Sequence, residues 1–316
     1  MQEQPGRTRG VTMNGNAIVA LLGLLLAATT ATAATTTATP GQKAVLVTGA
    51  STGIGRKITE RLAADGYFVY AGARKEKDLL ELDAIENVDA IRLDVTSDAD
   101  IAAAVQAITS AGRGLYGLVN NAGVAIVGPL VETREADFHY VMNVNVYGTY
   151  RVTKAFSPLI TAAKGRITTI SSISGILSRP GFGVYSMSKH ATEAFGDALA
   201  AEMAPLGVQV SLVEPGNYRS EIGKTAAQRL GVTTPLADRS KYPEPDDVAA
   251  AVLHSLSDAR PKRRYMVVPV QAEAEATIRK TIQELVQLNE QQPFSYDRKA
   301  LVEMLDAELA LSPGTR

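Results

Sequence analysis

The apolar run Ala44-Val45-Leu46-Val47 passes directly into Thr48-Gly49-Ala50-Ser51-Thr52-Gly53-Ile54-Gly55, and no other stretch narrows the fold so far. Four apolar residues bounded by a glycine cluster read as a buried strand, and the amphipathic segment after the glycines reads as a helix running to about Ala64. A strand, a glycine turn and a helix N-terminus in that order make an anion site. The glycines let the backbone turn sharply and approach a ligand without Cβ atoms, while the first N–H groups of the helix point at it. Gly49, Ser51, Thr52, Gly53, Ile54 and Gly55 are therefore expected to line a nucleotide's phosphates.

The rest of the chain keeps alternating apolar runs with amphipathic stretches, which predicts an α/β fold: a doubly wound parallel sheet, Rossmann-like. Strands are expected at residues 67–71, 90–95, 115–119, 166–171, 208–213 and 264–268, and helices at 98–110, 135–163, from Tyr185 to about Ala204, and 245–256. Residues 217–240 are mixed and polar, a candidate substrate lid. Residues 272–311 read as two helices joined across 291–296. The expected organisation is a leader over residues 1–40, a dinucleotide-binding catalytic domain over 41–270, and a C-terminal helical extension over 271–316.

Strand ends gather at one rim of such a sheet, so the residues there are candidates for cofactor contact. The second strand ends in Ala73-Arg74 with no acid, where an acid would suit a ribose 2′-OH and an arginine a 2′-phosphate. NADP is therefore expected over NAD, with Arg74 as the phosphate contact; the plainer reading is a solvated strand-end arginine. Asp94 could accept from the adenine amino group, with Val95 beside it. Asn121, Ala122 and Gly123 follow the fourth strand, and Pro215 and Gly216 close the sixth. Asn145 falls inside a predicted helix, where its low propensity means that it faces solvent or has a polar task inside.

Composition excludes some partners. With 32 basic and 33 acidic residues the formal charge is −1, and no Lys/Arg cluster with interleaved aromatics occurs, so a small molecule is the expected partner and nucleic acid is not. There are no cysteines, which removes disulfides and thiolate metal sites. His139, His190 and His254 are isolated in sequence and read as packing or surface residues, so no metal is expected. At the start, Arg7 and Arg9 precede an apolar core over residues 17–28 and the small-residue pattern Ala31-Thr32-Ala33. This order fits a cleaved secretory signal peptide, hence export or a periplasmic location. An uncleaved membrane anchor is the competing reading. If Met13 is the true start, both arginines disappear and a cytoplasmic location follows.

Tyr185 and Lys189 stand four residues apart, which on a helix puts phenol and ammonium on one face. An isolated tyrosine has a pKa of about 10 and is a poor acid or base near neutrality, but a neighbouring positive charge favours phenolate. Ser172, thirteen residues before Tyr185, would aim a hydroxyl at the same substrate oxygen. Alone, such a spacing is most often surface or packing.

Taken together, Thr48-Gly49 with Gly53 and Gly55, Asn120-Asn121-Ala122-Gly123, Asn145, Ser172, Tyr185 with Lys189, and Pro215-Gly216 occur in an order that resembles the short-chain dehydrogenase/reductase family, from Lys43 to about Val268. The resemblance implies reversible hydride transfer between a nicotinamide and an alcohol or ketone. In it, Tyr185 is the acid for reduction and the base for oxidation, and Lys189 lowers the phenol's pKa and bonds the nicotinamide ribose. Ser172 orients the carbonyl oxygen, and Asn145 holds a water that passes protons to bulk. The family's usual threonine after Pro-Gly is replaced nearest by Ser220. Ile176, Leu177 and Phe182 near Tyr185 suggest an apolar pocket for a lipophilic alcohol or carbonyl compound. A cofactor-binding module without turnover is the alternative, disfavoured because Ser172, Tyr185 and Lys189 are all present; double-bond reduction is disfavoured by the tyrosine–lysine spacing. The two long helices also resemble those through which the family pairs its subunits, which implies a homo-oligomer unless the added C-terminal helices cover that face.

Overall fold

The computed structural model describes residues 41–231 and 239–311. The expected leader lies outside the described residues, as do positions 232–238 of the candidate lid. Seven strands form one sheet in which every neighbouring pair is parallel: β1 (Ala44–Thr48), β2 (Phe68–Ala73), β3 (Val88–Arg92), β4 (Gly117–Asn120), β5 (Arg166–Ile170), β6 (Gln209–Pro215) and β7 (Arg264–Val267). Their order is β3-β2-β1-β4-β5-β6-β7. No residue of β1 is more than 1% exposed, as befits a central strand covered on both faces.

The connections are helical: α1 (Gly53–Ala64), α2 (Glu76–Asp83), α3 (Asp98–Ser110), α4 (Glu135–Met142), α5 (Thr149–Ala162), α6 (Gly183–Met203), α7 (Ile222–Leu230) and α8 (Asp246–Ser257). Alternate residues of β1 feed two cores, since successive side chains of a strand point to opposite faces. Val45 and Val47 pack with Ile58 and Leu62 of α1 and Val252 and Leu256 of α8. Leu46 packs with Ile108 of α3 and Phe156 and Ile160 of α5. The doubly wound sheet expected from the alternation of patterns is thus the observed one.

The stretch 135–163, expected as one helix, is interrupted. Residues Asn143–Gly148 form a wider turn of π type between α4 and α5. Two contacts hold it there: the Asn145 side chain reaches out to the backbone of Val124, and Gly148 passes so close to Val95 that a Cβ would lie 2.6 Å from Val95 Cγ2. Further on, Pro158 lies inside α5 and has no N–H to give to the Lys154 carbonyl; Ser157 Oγ donates to that carbonyl instead, at 3.0 Å. Helix α2 was not expected, because only Leu82 of its eight residues is buried and the periodic signal is correspondingly weak.

Within the candidate lid segment, α7 is helical and packs Ala226 and Ala227 inward. After β7, helices α9 (Gln271–Asn289) and α10 (Arg298–Leu311) occupy the positions expected for the two C-terminal helices. Asn289 fixes the connection between them by exchanging hydrogen bonds with the backbone of Tyr296. Among the described residues no helix is long and apolar enough to cross a membrane.

Candidate active site

The sheet order reverses between β1 and β4, and in open parallel sheets the crevice outside the carboxyl ends at such a point is where ligands bind. A cleft opens there. It is lined by Gly49, Ser51, Thr52, Gly53, Ile54 and Gly55 from the first turn, Arg74 after β2, and Asp94 and Val95 after β3. Asn121, Ala122 and Gly123 follow β4, Ser172 follows β5, Tyr185 and Lys189 stand on α6, and Pro215 and Gly216 end β6. Of the catalytic and cofactor residues singled out from sequence, Asn145 does not line it.

The glycine turn is a backbone cradle with no room for side chains. Gly49 and Gly53 have φ of +64° and +54°. A Cβ on Gly55 would stand 2.2 Å from the Gly49 carbonyl oxygen and 2.4 Å from Asn121 Nδ2. The turn is tied across to β4: Thr48 Oγ1 accepts from the N–H groups of Asn121 and Ala122, both at 3.0 Å, and Asn121 Nδ2 donates to the carbonyls of Thr48 and Gly49 at 2.9 and 3.0 Å. A diphosphate fits such a cradle, since bare backbone at a helix start offers N–H groups and no steric block. Thr48 entered the sequence reading only as part of the glycine motif, with no task of its own; its task is this tie between β1 and β4.

At the adenosine end, Arg74 Nη1 lies 3.6 Å from Asp94 Oδ2, with the arginine side chain 57% exposed. Asp94 Oδ1 accepts from the N–H and hydroxyl of Thr96 at 2.8 and 2.7 Å. Partial burial pushes the Asp94 carboxyl up, but the Thr96 hydrogen bonds and the Arg74 charge outweigh it and hold it below the usual range. Ser220, nearest in sequence to the family's usual threonine, stands at the glycine turn: a Cβ on Gly53 would lie 3.2 Å from its Cα.

At the other end, Ser172 caps a short turn. Its Oγ accepts from Ser174 N–H at 3.1 Å and donates to the Pro215 carbonyl at 3.3 Å. Lys189 is buried beneath the cleft, its Nζ donating to the Ile170 carbonyl at 2.8 Å and standing 5.7 Å from the Tyr185 ring centroid. Burial lowers the Lys189 pKa to about 8, against the opposing pull of Glu193. Asn145 is only 2% exposed. Its Oδ1 accepts from Val124 N–H at 2.8 Å, and its Nδ2 donates to the Val124 carbonyl and Ser188 Oγ, each at 2.9 Å. Ser188 Oγ in turn donates to the Tyr185 carbonyl at 2.7 Å. The open question about Asn145 is answered: its polar task is inside, bracing the loop after β4 against the first turns of α6.

Of the apolar trio near Tyr185, Phe182 lines the cleft while Ile176 and Leu177 do not. Arg179 lines the same end, and among the described residues no carboxylate pairs with it. A contact that sequence reading missed comes from α9: Glu273, 9% exposed, accepts from the N–H and side-chain amide of Asn217 at 3.1 and 2.5 Å. It holds the loop after Pro215-Gly216. Nothing in the helical pattern of α9 distinguishes Glu273 from the other acids on that helix.

A bare cradle for a diphosphate, continuous with a phenol, an ammonium and a hydroxyl, is the layout of a dinucleotide-dependent oxidoreductase on a doubly wound sheet. A family profile described as short chain dehydrogenase matches residues 43–231. The chain is 34% identical over 260 residues to the mitochondrial D-beta-hydroxybutyrate dehydrogenase of Rattus norvegicus, covering 71% of this chain and 76% of that protein. It is 41% identical over 188 residues to the enzyme of the same name from Bos taurus, a match that covers 56% of this chain and only 55% of that protein. A short chain dehydrogenase/reductase from Burkholderia phymatum, solved in complex with NAD, superposes with a TM-score of 0.68 at 25% identity, covering 81% of this chain and 98% of that one. Other solved neighbours carry NADP or an NADP derivative. The chain belongs to the short-chain dehydrogenase/reductase family of NAD(P)-dependent oxidoreductases.

Because a methyl at residue 55 would collide with the Gly49 carbonyl, Gly55→Ala is expected to lose nucleotide binding by at least tenfold. Isothermal titration with NADPH and NADH checks this.

Proposed function

We propose that this chain transfers a hydride between NADP(H) and the hydroxyl or carbonyl carbon of a small-molecule substrate, with Tyr185 as general acid in reduction and general base in oxidation. One observation carries the reading: a single cleft brings the phenol of Tyr185, the ammonium of Lys189 and the hydroxyl of Ser172 to the same end, continuous with the glycine cradle. When bound, the nicotinamide supplies or accepts the hydride.

The chain's own residues manage the proton and the geometry. Gly49, Ser51, Thr52, Gly53, Ile54 and Gly55 hold the phosphates, Asp94, Val95, Asn121, Ala122 and Gly123 border the adenosine and ribose, and Pro215 and Gly216 border the nicotinamide. Ser172 orients the substrate oxygen toward Tyr185. Lys189 keeps a positive charge under the phenol, which favours phenolate and brings its titration toward working pH. With its side chain committed to Val124 and Ser188, Asn145 offers a relayed water only its main-chain carbonyl, which already accepts from Thr149 Oγ1 at 2.8 Å and keeps a second lone pair. For the cofactor, Arg74 at the mouth, with the neutral Ala73 before it, supports NADP over NAD.

Two substrate classes have support. Phe182, Ile173 and Val124 in the cleft favour a lipophilic alcohol or carbonyl compound. Arg179 beside them favours one that also carries a carboxylate, and two relatives are named for D-beta-hydroxybutyrate. Residues 41–270 act as the catalytic domain in this reading, and α5 and α6, with Tyr150 and Met187 exposed, offer the face for pairing subunits.

Tyr185→Phe is expected to keep cofactor affinity while turnover falls by about 10²–10⁴, read by nucleotide titration beside steady-state kinetics; retained turnover refutes the role. Arg74→Ala should cut the ratio of kcat/KM for NADPH over NADH by about tenfold, the worth of one charged hydrogen bond. A panel of ketones and keto acids followed at the nicotinamide absorbance decides the substrate class. If the carboxylate reading holds, Arg179→Ala raises KM for keto acids about tenfold or more and leaves neutral ketones unchanged.

A further inference from the structure

A buried acidic pair stands behind Lys189, and the reaction proposed above makes no use of it. Glu193 lies one helical turn beyond Lys189 on α6, and Glu214 is the β6 residue just before Pro215. They are 8% and 2% exposed. Oε1 of each lacks a hydrogen-bond partner among the described residues. Gly175 makes the room, since a Cβ there would lie 2.8 Å from Glu193 Cγ. The pair therefore sits under three parts of the site at once: the turn capped by Ser172, the Lys189 face of α6, and the start of the Pro215-Gly216 loop.

The charged groups around it come from two further directions. From β7, Arg264 Nε lies 3.1 Å from Glu193 Oε2 and 3.3 Å from Glu214 Oε1, while its Nη2 is drawn off to Asp197 Oδ2 at 2.7 Å. Arg263, just before β7, pairs with Asp197 Oδ1 at 3.3 Å. From α6 itself come Lys189 and the half-exposed Asp197. One guanidinium is thus divided among three carboxylates, and two neighbouring buried carboxylates cannot both keep a full charge under it. Arg264 Nε lies within 3.3 Å of one oxygen of each carboxyl, Glu193 Oε2 and Glu214 Oε1, so the two groups meet there, and a proton between them removes the repulsion.

We propose that Glu193 and Glu214 share a single proton, and that the one negative charge they retain holds Lys189 as an ammonium beneath the cleft. The charges act in the required sense. Glu193 pulls the lysine up against a burial that lowers it to about 8, while burial and then the Glu193 charge push Glu214 up to about 8. Glu193 and Glu214 are positioning residues that act through Lys189. The consequence for catalysis rests on the reading of Tyr185 and Lys189 given above; the protonation states do not.

The test follows Lys189 directly, in cofactor-free protein carrying ¹³C at lysine Cε, with its resonance assigned by loss in Lys189→Met. The titration midpoint is expected near 8 in the native chain. In Glu214→Gln, which imitates the protonated partner and keeps one charge at every pH near the midpoint, it should fall less than when both carboxyls are removed. In Glu193→Gln/Glu214→Gln, which has no charge left to give, it should fall by at least one pH unit, tenfold in proton affinity. An unchanged midpoint in the folded double variant overturns the proposal.

Thermal melting supplies a second readout that needs only Glu214→Gln. A carboxyl raised from 4.5 to about 8 binds more protons folded than unfolded across that window, so the stability it contributes falls as pH rises through it. The native chain should therefore lose melting temperature more steeply than Glu214→Gln between about pH 5 and about pH 7.5; parallel curves overturn the shared proton. In the double variant the alkaline limb of the kcat profile should move down with the lysine midpoint. If Lys189 titrates as expected while no ketone or alcohol turns over, the catalytic reading fails and the proton-sharing pair stands.

Discussion

The site depends on a small set of hydrogen bonds between the ends of β1 and β4. Where the strand order reverses, the chain leaves one strand upward and to one side and leaves its neighbour to the other, so sheet pairing does nothing to hold the two loops together. Thr48 and Asn121 do it instead, one hydroxyl taking two N–H groups and one side-chain amide covering two carbonyls. With these bonds in place the glycine turn has one shape, and Gly49 and Gly55 can approach Ala122 and Asn121 closely. The same line of support continues outward: Asn145 fixes Val124 a few residues on and reaches Ser188 on α6, one residue from Lys189.

Charge is managed by depth. Arg74 at the mouth is half-exposed and screened by water, whereas Lys189 is enclosed and keeps its charge only against a desolvation cost. In the proposed chemistry, an ammonium poised near neutrality is an effective neighbour for a phenol that both gives and takes a proton. The buried carboxyls on the far side belong to the same electrostatic unit, although no substrate would ever touch them.

Much of this was legible in the residues, and the parts that were not have definite causes. β1 with its glycine turn, the gathering of strand ends, and the placing of Ser172, Tyr185 and Lys189 at one rim follow from patterns that are local in sequence. The break in the helix at Asn143–Gly148 did not, since it exists to satisfy Val124 about twenty residues away, a demand that periodicity cannot register. Ile176 and Leu177 were apolar for packing, and only Phe182 faces the cleft. Glu273 was invisible for the opposite reason: it sits on an ordinary amphipathic helix, and its partner Asn217 lies in a loop with no signature.

That last contact changes how the C-terminal helices should be regarded. By capping two donors of Asn217, Glu273 makes α9 a buttress for the loop that follows Pro215-Gly216, with most of its outer length exposed. Since Asn217 lines the cleft, the first turn of α9 is part of the wall that shapes it, and the C-terminal extension is tied to the site through that one residue.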